Sequence, residues 1–311
     1  MVGKDSFGRR VIAEADAAVV AGACRSPTAI TGVALGGSGI VSALVPTPGA
    51  VWAAHTNTRT TSVPRLGLFF SHMHVRTPTA LSPPEPCPYL ADRTMVLEYF
   101  FATRIDDEEL DKLLAHGWRV FGQFYFRPAC PLCRECVPLR VRARELVLSR
   151  SQRRIRNRNR DTNVRIGPPV FREEIYDVYR DHSVSKFGRE PDPAEFFQSF
   201  YHPSCPSLQS EYFVAGELAA VGFLSRSVNA LSSVYFVYRD RYRRYGLGVF
   251  SVIHECAYAA ALGLEHYSLG YYISANKSMS YKGNFEPHER YNWSRDAWDA
   301  WRRADEITEV D

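Results

Sequence analysis

The spacing of hydrophobic and polar positions becomes regular only after about residue 87. Residues 1–82 are rich in Ala, Gly, Thr, Ser and Pro, and they follow neither the strand period nor the helix period. The proline-rich run Leu81–Pro86 closes this part in the manner of a linker. We therefore predict a largely disordered extension over residues 1–82, with folded structure beginning near Cys87.

Residues 83–165 are predicted to form a small domain of short strands and two helices. Apolar and aromatic runs predict strands at Met95–Phe101, Trp118–Arg127 and Val137–Val141. Asp106 is a helix-capping residue that precedes an inward-facing leucine pattern, and Gly117 ends this helix. A second, very polar helix begins at Ser149.

Residues 166–311 show a longer succession of helices and strands. Helical periodicity covers Glu173–Lys186, Pro193–Tyr201 and Val249–Leu262, and strands are predicted at Glu211–Ala215, Leu218–Leu224, Leu231–Tyr238 and Tyr267–Ile273. Gly216 and Glu217 predict a tight turn between the first two of these strands. The whole pattern predicts an α+β fold.

A glycine-bearing loop joins the third strand of this part to its last helix. The run Arg243-x-x-Gly246-x-Gly248 stands where the strand ends and the helix begins. Strand, glycine loop, helix and strand in this order present a helix N-terminus to a negative or polarised group. The arrangement resembles the pyrophosphate loop of the acetyl-coenzyme-A N-acetyltransferases, so an acetyltransferase-like (GNAT-type) fold is expected here.

The composition is that of a soluble globular protein. Hydrophobic residues make up 45% of the 311 residues and charged residues 23%, which suits a buried core with a solvated surface. The uncharged run 26–58 is interrupted by Gly and Pro, and Glu14 and Asp16 stand where a signal peptide would be apolar. We expect a cytoplasmic protein without a membrane partner.

Three cysteines follow one another at two-residue intervals in Cys130-x-x-Cys133-x-x-Cys136, and Cys87 can supply a fourth thiol. Four thiolates suit a structural zinc ion and an iron–sulfur cluster equally well, and the spacing does not distinguish the two. The alternative is ordinary buried cysteines, because cysteine packs well as a small hydrophobic residue. The Pro, Arg and Glu residues among these cysteines favour a metal or cluster.

Positive charge is concentrated between Arg140 and Arg160. This stretch holds nine arginines and one acidic residue, Glu145, a density that the net charge of +4 conceals. Guanidinium groups match phosphate oxygens, which predicts contact with a nucleic-acid backbone. The alternative is a solvated or internally paired helix face. The residues predicted to contact the nucleic acid are Arg150, Arg153, Arg154, Arg156 and Arg158.

These motifs together resemble the arginyl-tRNA–protein transferase family, and in particular its bacterial aspartate/glutamate leucyltransferases. The resemblance extends from Cys87 to Pro287, about two-thirds of the chain. The matching runs are Cys87–Leu90, Tyr125–Arg140, Ser149–Arg154, Asn159–Asp161, Ser232–Tyr238, Leu247–Gly248, Leu269–Ile273, Met279–Lys282 and Phe285–Pro287.

The resemblance implies a cysteine-bearing N-terminal domain and an acetyltransferase-like C-terminal domain. It also implies a function in the N-degron pathway, in which an amino acid moves from an aminoacyl-tRNA to proteins that begin with Asp or Glu and marks them for degradation. The bacterial motifs favour leucine from Leu-tRNA, with arginine from Arg-tRNA as the alternative. The family's cysteine motif maps onto Cys87, Cys130, Cys133 and Cys136.

The implied reaction is attack of a protein α-amine on the ester of an aminoacyl-tRNA. This ester is already activated, so no cofactor is required for the chemistry, and the enzyme has to align the reactants, remove a proton and stabilise the oxyanion. Backbone N–H groups at Gly246 and Gly248 are candidates for binding the polarised end of the donor. Lys282, with Tyr281, is the candidate contact for an acidic acceptor side chain or for the tRNA end.

Three tyrosines are further catalytic candidates. Tyr235, Tyr271 and Tyr272 fall on the two strands that splay around the active site in acetyltransferase-like folds, where they would position the amine or relay its proton. The alternative is that they are packing residues, as most tyrosines on strands are.

Two other classes of function compete with this interpretation. An acetyl-coenzyme-A N-acetyltransferase explains the glycine loop but neither the cysteines nor the basic helix. A zinc-containing nucleic-acid-binding protein explains those two features but not the long α/β part. Within the transferase interpretation, an arginine pocket should contain an acid, for which Glu98, Glu211 and Glu255 are candidates.

Overall fold

The structure, a computed structural model, describes residues 75–301. Within this range the chain forms fourteen strands in three sheets and six α-helices. The helices are α1 (Asp107–Ala115), α2 (Arg150–Arg158), α3 (Glu173–Phe187), α4 (Pro193–Tyr201), α5 (Leu247–Ala261) and α6 (Lys277–Ser280). The strands are β1 (Ala80–Leu81), β2 (Glu85–Pro86), β3 (Thr94–Met95), β4 (Leu97–Phe101), β5 (Arg119–Phe121), β6 (Phe124–Pro128), β7 (Val137–Arg142), β8 (Asn163–Gly167), β9 (Ser207–Val214), β10 (Glu217–Arg226), β11 (Ala230–Tyr238), β12 (His266–Tyr272), β13 (His288–Asn292) and β14 (Ala297–Trp301).

The predicted extension is only partly within the described range. Residues 1–74 lie outside it, whereas residues 75–82 contribute β1, which pairs with β4. Arg76 also forms an ion pair with Glu109 of α1. Folded structure therefore starts before Cys87, and no helix among residues 75–301 is both long and apolar enough to span a membrane.

The smaller sheet has the strand order β1-β4-β6-β5. The prediction of one strand over Trp118–Arg127 was wrong, because the chain reverses at Gly122 and Gln123 to form the hairpin β5–β6. Gly122 has a φ of 59°, a left-handed conformation that glycine adopts without steric cost. Aromatic residues on both sides of this single glycine hid the turn in the sequence.

The larger sheet has the strand order β14-β13-β7-β12-β11-β10-β9-β8. Strand β7, which precedes the arginine-rich segment, lies between β13 and β12, and the strands β8, β13 and β14 were not predicted. The turn between β9 and β10 falls at Ala215 and Gly216, one position earlier than expected, and both residues have positive φ values of 51° and 84°. Two such residues are typical of the tight hairpin turns that match strand twist.

Helices cover both faces of the larger sheet. Side chains alternate along β10, so Val221 and Phe223 lie on one face and Leu224 on the other. Val221 and Phe223 pack against α3 and α4, whereas Leu224 belongs to the cluster formed with α5. The sheet is therefore the middle layer of an α+β fold, as predicted.

The strands β11 and β12 are parallel neighbours that separate after three residue pairs, the last of which joins Ser232 to Ser268. Both strands have a register shift near this point. The shift between β11 and β10 lies opposite Phe223 and Leu224, and the shift between β12 and β7 lies next to Gly270. Bulges bend a strand and re-aim its side chains. We call the gap that opens between β11 and β12 beyond Ser232 and Ser268 the splay. A splayed parallel pair joined by a glycine loop and a helix is the acetyltransferase-like arrangement expected from the sequence.

A buried carboxyl group links α5 to β9 and β12. Glu255 of α5 is 1% exposed and accepts hydrogen bonds from Ser210 (2.7 Å), Tyr212 (2.8 Å) and Tyr267 (2.5 Å). Burial raises the pKa of the Glu255 carboxyl, and the three hydroxyl donors offset part of that rise. Gly222 leaves room for this cluster, because a Cβ there would stand 2.4 Å from the Ser210 hydroxyl.

Candidate functional site

Helix α2 buries a face made of amide side chains. Ser149 caps the helix, and its backbone N–H donates to the Gln152 side chain (2.8 Å), which completes a capping box. Gln152, Ile155 and Asn159 follow the i, i+3, i+7 spacing of one helix face. Gln152 is 4% exposed and Asn159 2%, so a helix that looked polar all round has a specific docking side.

This face links the two segments that leave the splayed strands. Gln152 donates to the carbonyl oxygen of Asn284 (3.0 Å), in the segment that follows β12. Asn159 donates to the carbonyl oxygen of Tyr245 (2.8 Å), in the segment that follows β11. The two amides are seven residues apart, about 10 Å along the helix axis. Helix α2 therefore bridges the segments that border the splay.

The predicted tRNA-binding arginines occupy the opposite, solvent-exposed side of α2. Among residues 75–301, none of the five forms an ion pair, and only backbone carbonyl groups accept hydrogen bonds from Arg153 and Arg158. Arg243 and Arg244, also exposed, extend the positive surface beyond the helix. Unpaired exposed guanidinium groups suit phosphate oxygens. The exposed arginines of α2 are Arg150, Arg153, Arg154, Arg156 and Arg158.

The glycine loop lies directly beside α2. Gly246 caps α5 with a φ of 66°, and a Cβ at this position would stand 3.4 Å from the Ile155 side chain. A Cβ at Gly248 would meet no atom within 4 Å, so the first turn of α5 is open there. Because the first N–H groups of a helix have no partner within it, Leu247 and Gly248 present donors at this opening. The N–H of Gly246, which was also a predicted donor, instead bonds to the Arg243 carbonyl oxygen (3.1 Å). The structure thus brings the predicted donor-binding loop and the predicted tRNA-binding helix together.

Arg119 of β5 inserts its guanidinium group at the base of the splay. The side chain donates to the hydroxyl groups of Ser232 (2.7 Å) and Ser268 (3.2 Å) and to the carbonyl group of Ser233. It is 8% exposed, and burial lowers its pKa, although arginine stays protonated at any physiological pH. Sequence reasoning missed this residue, because one arginine in an aromatic strand gives no signal of where its side chain ends.

Lys282 lies in the 3₁₀ turn Tyr281–Asn284, which follows α6, and reaches the same region from the β12 side. Its ammonium group donates to the carbonyl oxygen of Tyr271 (2.9 Å) and lies 3.3 Å from the sulfur of Met279. Gly270 separates the two cations and has a φ of 79°. Tyr281, next to Lys282, packs on the cluster that includes Phe285, with a ring separation of 6.4 Å.

The three candidate tyrosines face different surroundings. Tyr271 is buried, its hydroxyl lies 3.5 Å from the carbonyl oxygen of Gly117, and burial raises its pKa well above the ordinary value. The guanidinium carbon of Arg290 lies over the ring of Tyr272, 4.4 Å from the ring centre. Tyr235 belongs to an aromatic cluster with α4. These placements favour packing roles for Tyr235 and Tyr271 over a shared proton relay.

Comparison with known proteins identifies the family. The family model described as arginine-tRNA-protein transferase, N terminus, matches residues 85–154, and the corresponding C-terminus model matches residues 172–292. The aspartate/glutamate leucyltransferase of Campylobacter jejuni subsp. jejuni serotype O:23/36 (strain 81-176) is 30% identical over 212 residues, which cover 66% of this chain and 89% of that protein. The chain belongs to the arginine-tRNA-protein transferase family. The aspartate/glutamate leucyltransferase of Halorhodospira halophila (strain DSM 244 / SL1) is 33% identical over 213 residues, 66% of this chain and 90% of that protein.

Membership of the transferase family confirms the resemblance carried by the motifs. It accounts for the cysteine segment and the basic helix, which an acetyltransferase would leave unexplained. It also accounts for the α/β part, which a nucleic-acid-binding protein would leave unexplained. Among solved structures, L-PGS from Bacillus licheniformis aligns over 65% of this chain and 71% of its own at 14% identity, with a TM-score of 0.39. That alignment is too weak to carry an argument, and the fold assignment rests on the topology of the sheet.

The four motif cysteines of the transferase gather near the smaller sheet. Burial raises the pKa of the Cys136 thiol, and the neighbouring thiols of Cys87, Cys130 and Cys133 raise it further. As placed among residues 75–301, no three or more Cys, His, Asp or Glu side chains form a group that would hold a metal ion. The four thiols are nevertheless the donor set that zinc and iron–sulfur clusters use, so the metal or cluster stays a prediction.

The three acids considered for an arginine pocket already have partners. Glu98 pairs with Arg127 (2.6 Å), and Glu211 pairs with Arg172 (2.8 Å). Glu255 accepts three hydroxyl groups beneath the sheet, as described above. None of the three offers the transferase an unengaged carboxylate for a donor arginine.

We predict that Asn159→Ala loosens α2 from the glycine loop. The change removes the donor to the Tyr245 carbonyl, and leaving a buried polar group without its partner costs about 1–3 kcal/mol. Trypsin should then cleave faster between Arg150 and Arg160, as measured by mass spectrometry of timed digests, and the melting temperature should fall. Asn157→Ala, at an exposed position of the same helix, is the control. Equal cleavage rates for Asn159→Ala and the parent protein would contradict the docking role.

Proposed function

We propose that this protein transfers leucine from Leu-tRNA to the N-terminal Asp or Glu of other proteins and thereby marks them for degradation. The observation that carries the proposal is the bridge formed by α2: a helix whose exposed side suits phosphates is bonded to both segments that border the splay. A tRNA held on this helix would bring its aminoacylated end beside the glycine loop. The curated relatives, which are named aspartate/glutamate leucyltransferases, support the same reaction.

The reaction requires one bond to form and one to break. The neutral α-amine of the acceptor attacks the ester carbonyl carbon, the bond from that carbon to the tRNA ribose oxygen breaks, and the amine proton ends on the departing ribose hydroxyl. The reference pKa of an α-amine is ~8, so roughly a tenth of the acceptor amine is already in its neutral, nucleophilic form at pH 7. In this proposal the N–H groups of Leu247 and Gly248 would stabilise the developing oxyanion.

Leucine is the donor that the site favours. A guanidinium side chain would need a buried carboxylate, and the three candidates Glu98, Glu211 and Glu255 are engaged elsewhere in the fold. Arginine from Arg-tRNA is the second candidate, because the matching family models are described by arginine-tRNA.

We propose a cytoplasmic location, which the proposed substrates support. Charged tRNA and proteins awaiting degradation are found there, and reduced cysteines are stable in that compartment. No membrane partner is required for this reaction.

A transfer assay tests the proposal. Radiolabelled Leu-tRNA and Arg-tRNA are supplied in parallel with peptides that differ only in an N-terminal Asp, Glu or Ala. Label should move from Leu-tRNA to the Asp and Glu peptides and not to the Ala peptide. Transfer from Arg-tRNA alone would replace leucine by arginine as the donor, and no transfer from either tRNA would overturn the proposal.

We predict that the double change Arg153→Glu and Arg154→Glu weakens tRNA binding and flattens its salt dependence. Each lost phosphate contact lowers the slope of log K against log salt by roughly 0.7–0.9. Filter binding at a series of salt concentrations measures both quantities. The control is Arg189→Glu with Arg226→Glu, which makes the same charge change at exposed positions outside α2. Overlapping binding curves for the α2 variant and the parent protein would exclude these arginines from the interface.

We also propose that Cys87, Cys130, Cys133 and Cys136 hold a zinc ion or an iron–sulfur cluster that stabilises their loop without entering the reaction. Cys133→Ser should release the metal and lower the melting temperature, because a structural metal contributes its binding free energy to folding. Elemental analysis and the visible absorption spectrum measure metal content and type. Cys256→Ser, at a buried cysteine of α5, should keep the parent's metal content. A parent protein without metal, or an unchanged content in Cys133→Ser, would refute the four-cysteine site.

A further inference from the structure

The guanidinium group of Arg119 has donors that the fold does not use. Its five N–H groups make three hydrogen bonds, to Ser232, Ser268 and Ser233, all at the base of the splay. Within residues 75–301, no carboxylate forms an ion pair with Arg119. A buried cation without an opposite charge is costly, and a bound anion would offset that cost.

The cationic groups of Arg119 and Lys282 approach each other at Gly270. If Gly270 carried a Cβ, that atom would stand 3.4 Å from Nη2 of Arg119 and 3.6 Å from Nζ of Lys282. Both cations therefore adjoin the one position that a side chain at residue 270 would occupy, and glycine leaves that position without a side chain. Gly270 also adopts its left-handed conformation at the register shift in β12, so the bulge and this position coincide.

We propose that Arg119 and Lys282, on either side of Gly270, bind the side-chain carboxylate of the acceptor's N-terminal Asp or Glu. This inference rests on the proposed function and names the residues that select its acceptor. The arginine fork provides directional hydrogen bonds to a carboxylate, and the lysine provides a second positive charge.

The burial of Arg119 favours a carboxylate over an RNA phosphate as the anion. The side chain is 8% exposed, so an anion has to enter the splay to reach it, which a short acidic side chain at a chain terminus can do. Phosphates of a folded tRNA remain on the outside of the molecule, where the exposed arginines of α2 are available. The two groups of cations thus suit two different anions.

The same placement would favour the reactive form of the acceptor amine. Positive charges near an ammonium group disfavour it and lower its pKa. An acceptor whose carboxylate is held by Arg119 and Lys282 would therefore keep its neighbouring α-amine neutral and nucleophilic. A neutral side chain, such as Asn or Gln, would leave the buried Arg119 guanidinium without an anion and would bind weakly, because buried donors would stay unpaired.

The test compares acceptor selectivity in Arg119→Gln, Arg119→Lys and Lys282→Gln with the parent protein. Each variant is assayed with Leu-tRNA and peptide pairs that differ only in Asp against Asn, or Glu against Gln, at the N-terminus. We expect Arg119→Gln to raise KM for the Asp peptide about 10- to 100-fold and to lower the Asp-to-Asn ratio of kcat/KM by a similar factor. KM for Leu-tRNA should not change, and Arg119→Lys should recover part of the selectivity.

If Arg119→Gln fails to fold, Lys282→Gln provides the same test at a half-exposed position. Circular dichroism measures whether each variant is folded. Lys277→Gln, an exposed lysine five residues earlier, is the control and should keep the parent's ratio. An unchanged Asp-to-Asn ratio in a folded Arg119 or Lys282 variant, with all peptides slowed equally, would overturn the inference and leave both residues a structural role. A parent protein that transfers nothing from either tRNA would instead defeat the proposed function.

Discussion

The separation of β11 from β12 is the constraint on which the rest of the site depends. Two parallel strands that part after three residue pairs leave backbone groups without a ladder partner, and such groups must be satisfied in another way. Cationic side chains do this on both strands: Arg119 donates to the Ser233 carbonyl and Lys282 to the Tyr271 carbonyl. The groups that bond to these carbonyls at the splay are thus charged, and they bring positive charge to it.

Helix α2 shows how a polar segment can be docked without a hydrophobic stripe. Gln152 and Asn159 bond to carbonyl groups at the two borders of the splay, and Ile155 alone packs against Gly246. Hydrogen bonds fix direction more strictly than apolar contacts do, so the helix has one register on its support. A nucleic acid bound to its arginines would accordingly be held at a fixed distance from the glycine loop, which is what transfer from a tethered donor requires.

The sequence predicted those elements whose signals are local. Asp106 and Ser149 cap the helices that they were expected to cap, and the periodic runs beginning at Glu173 and Pro193 are helices over nearly the predicted ranges. Features that depend on distant partners were not visible. The hairpin at Gly122 was masked by its aromatic neighbours, and the short strands β8, β13 and β14 owe their pairing to the larger sheet. The position of Arg119 was hidden for the same reason, since its partners are more than 100 residues away in the chain.

The two sets of basic residues differ in burial, and burial decides what each can recognise. The charges of the exposed arginines on α2 are screened by water and salt. Their attraction to phosphates is therefore strong in sum but weakly selective. Arg119 is shielded from water and already oriented by three hydrogen bonds. In such a buried position electrostatic interactions are stronger, and an unsuitable ligand binds weakly because it leaves polar groups unpaired. In the proposed function, affinity for the tRNA would therefore come from the exposed arginines of α2, and selection of the acceptor from the buried Arg119.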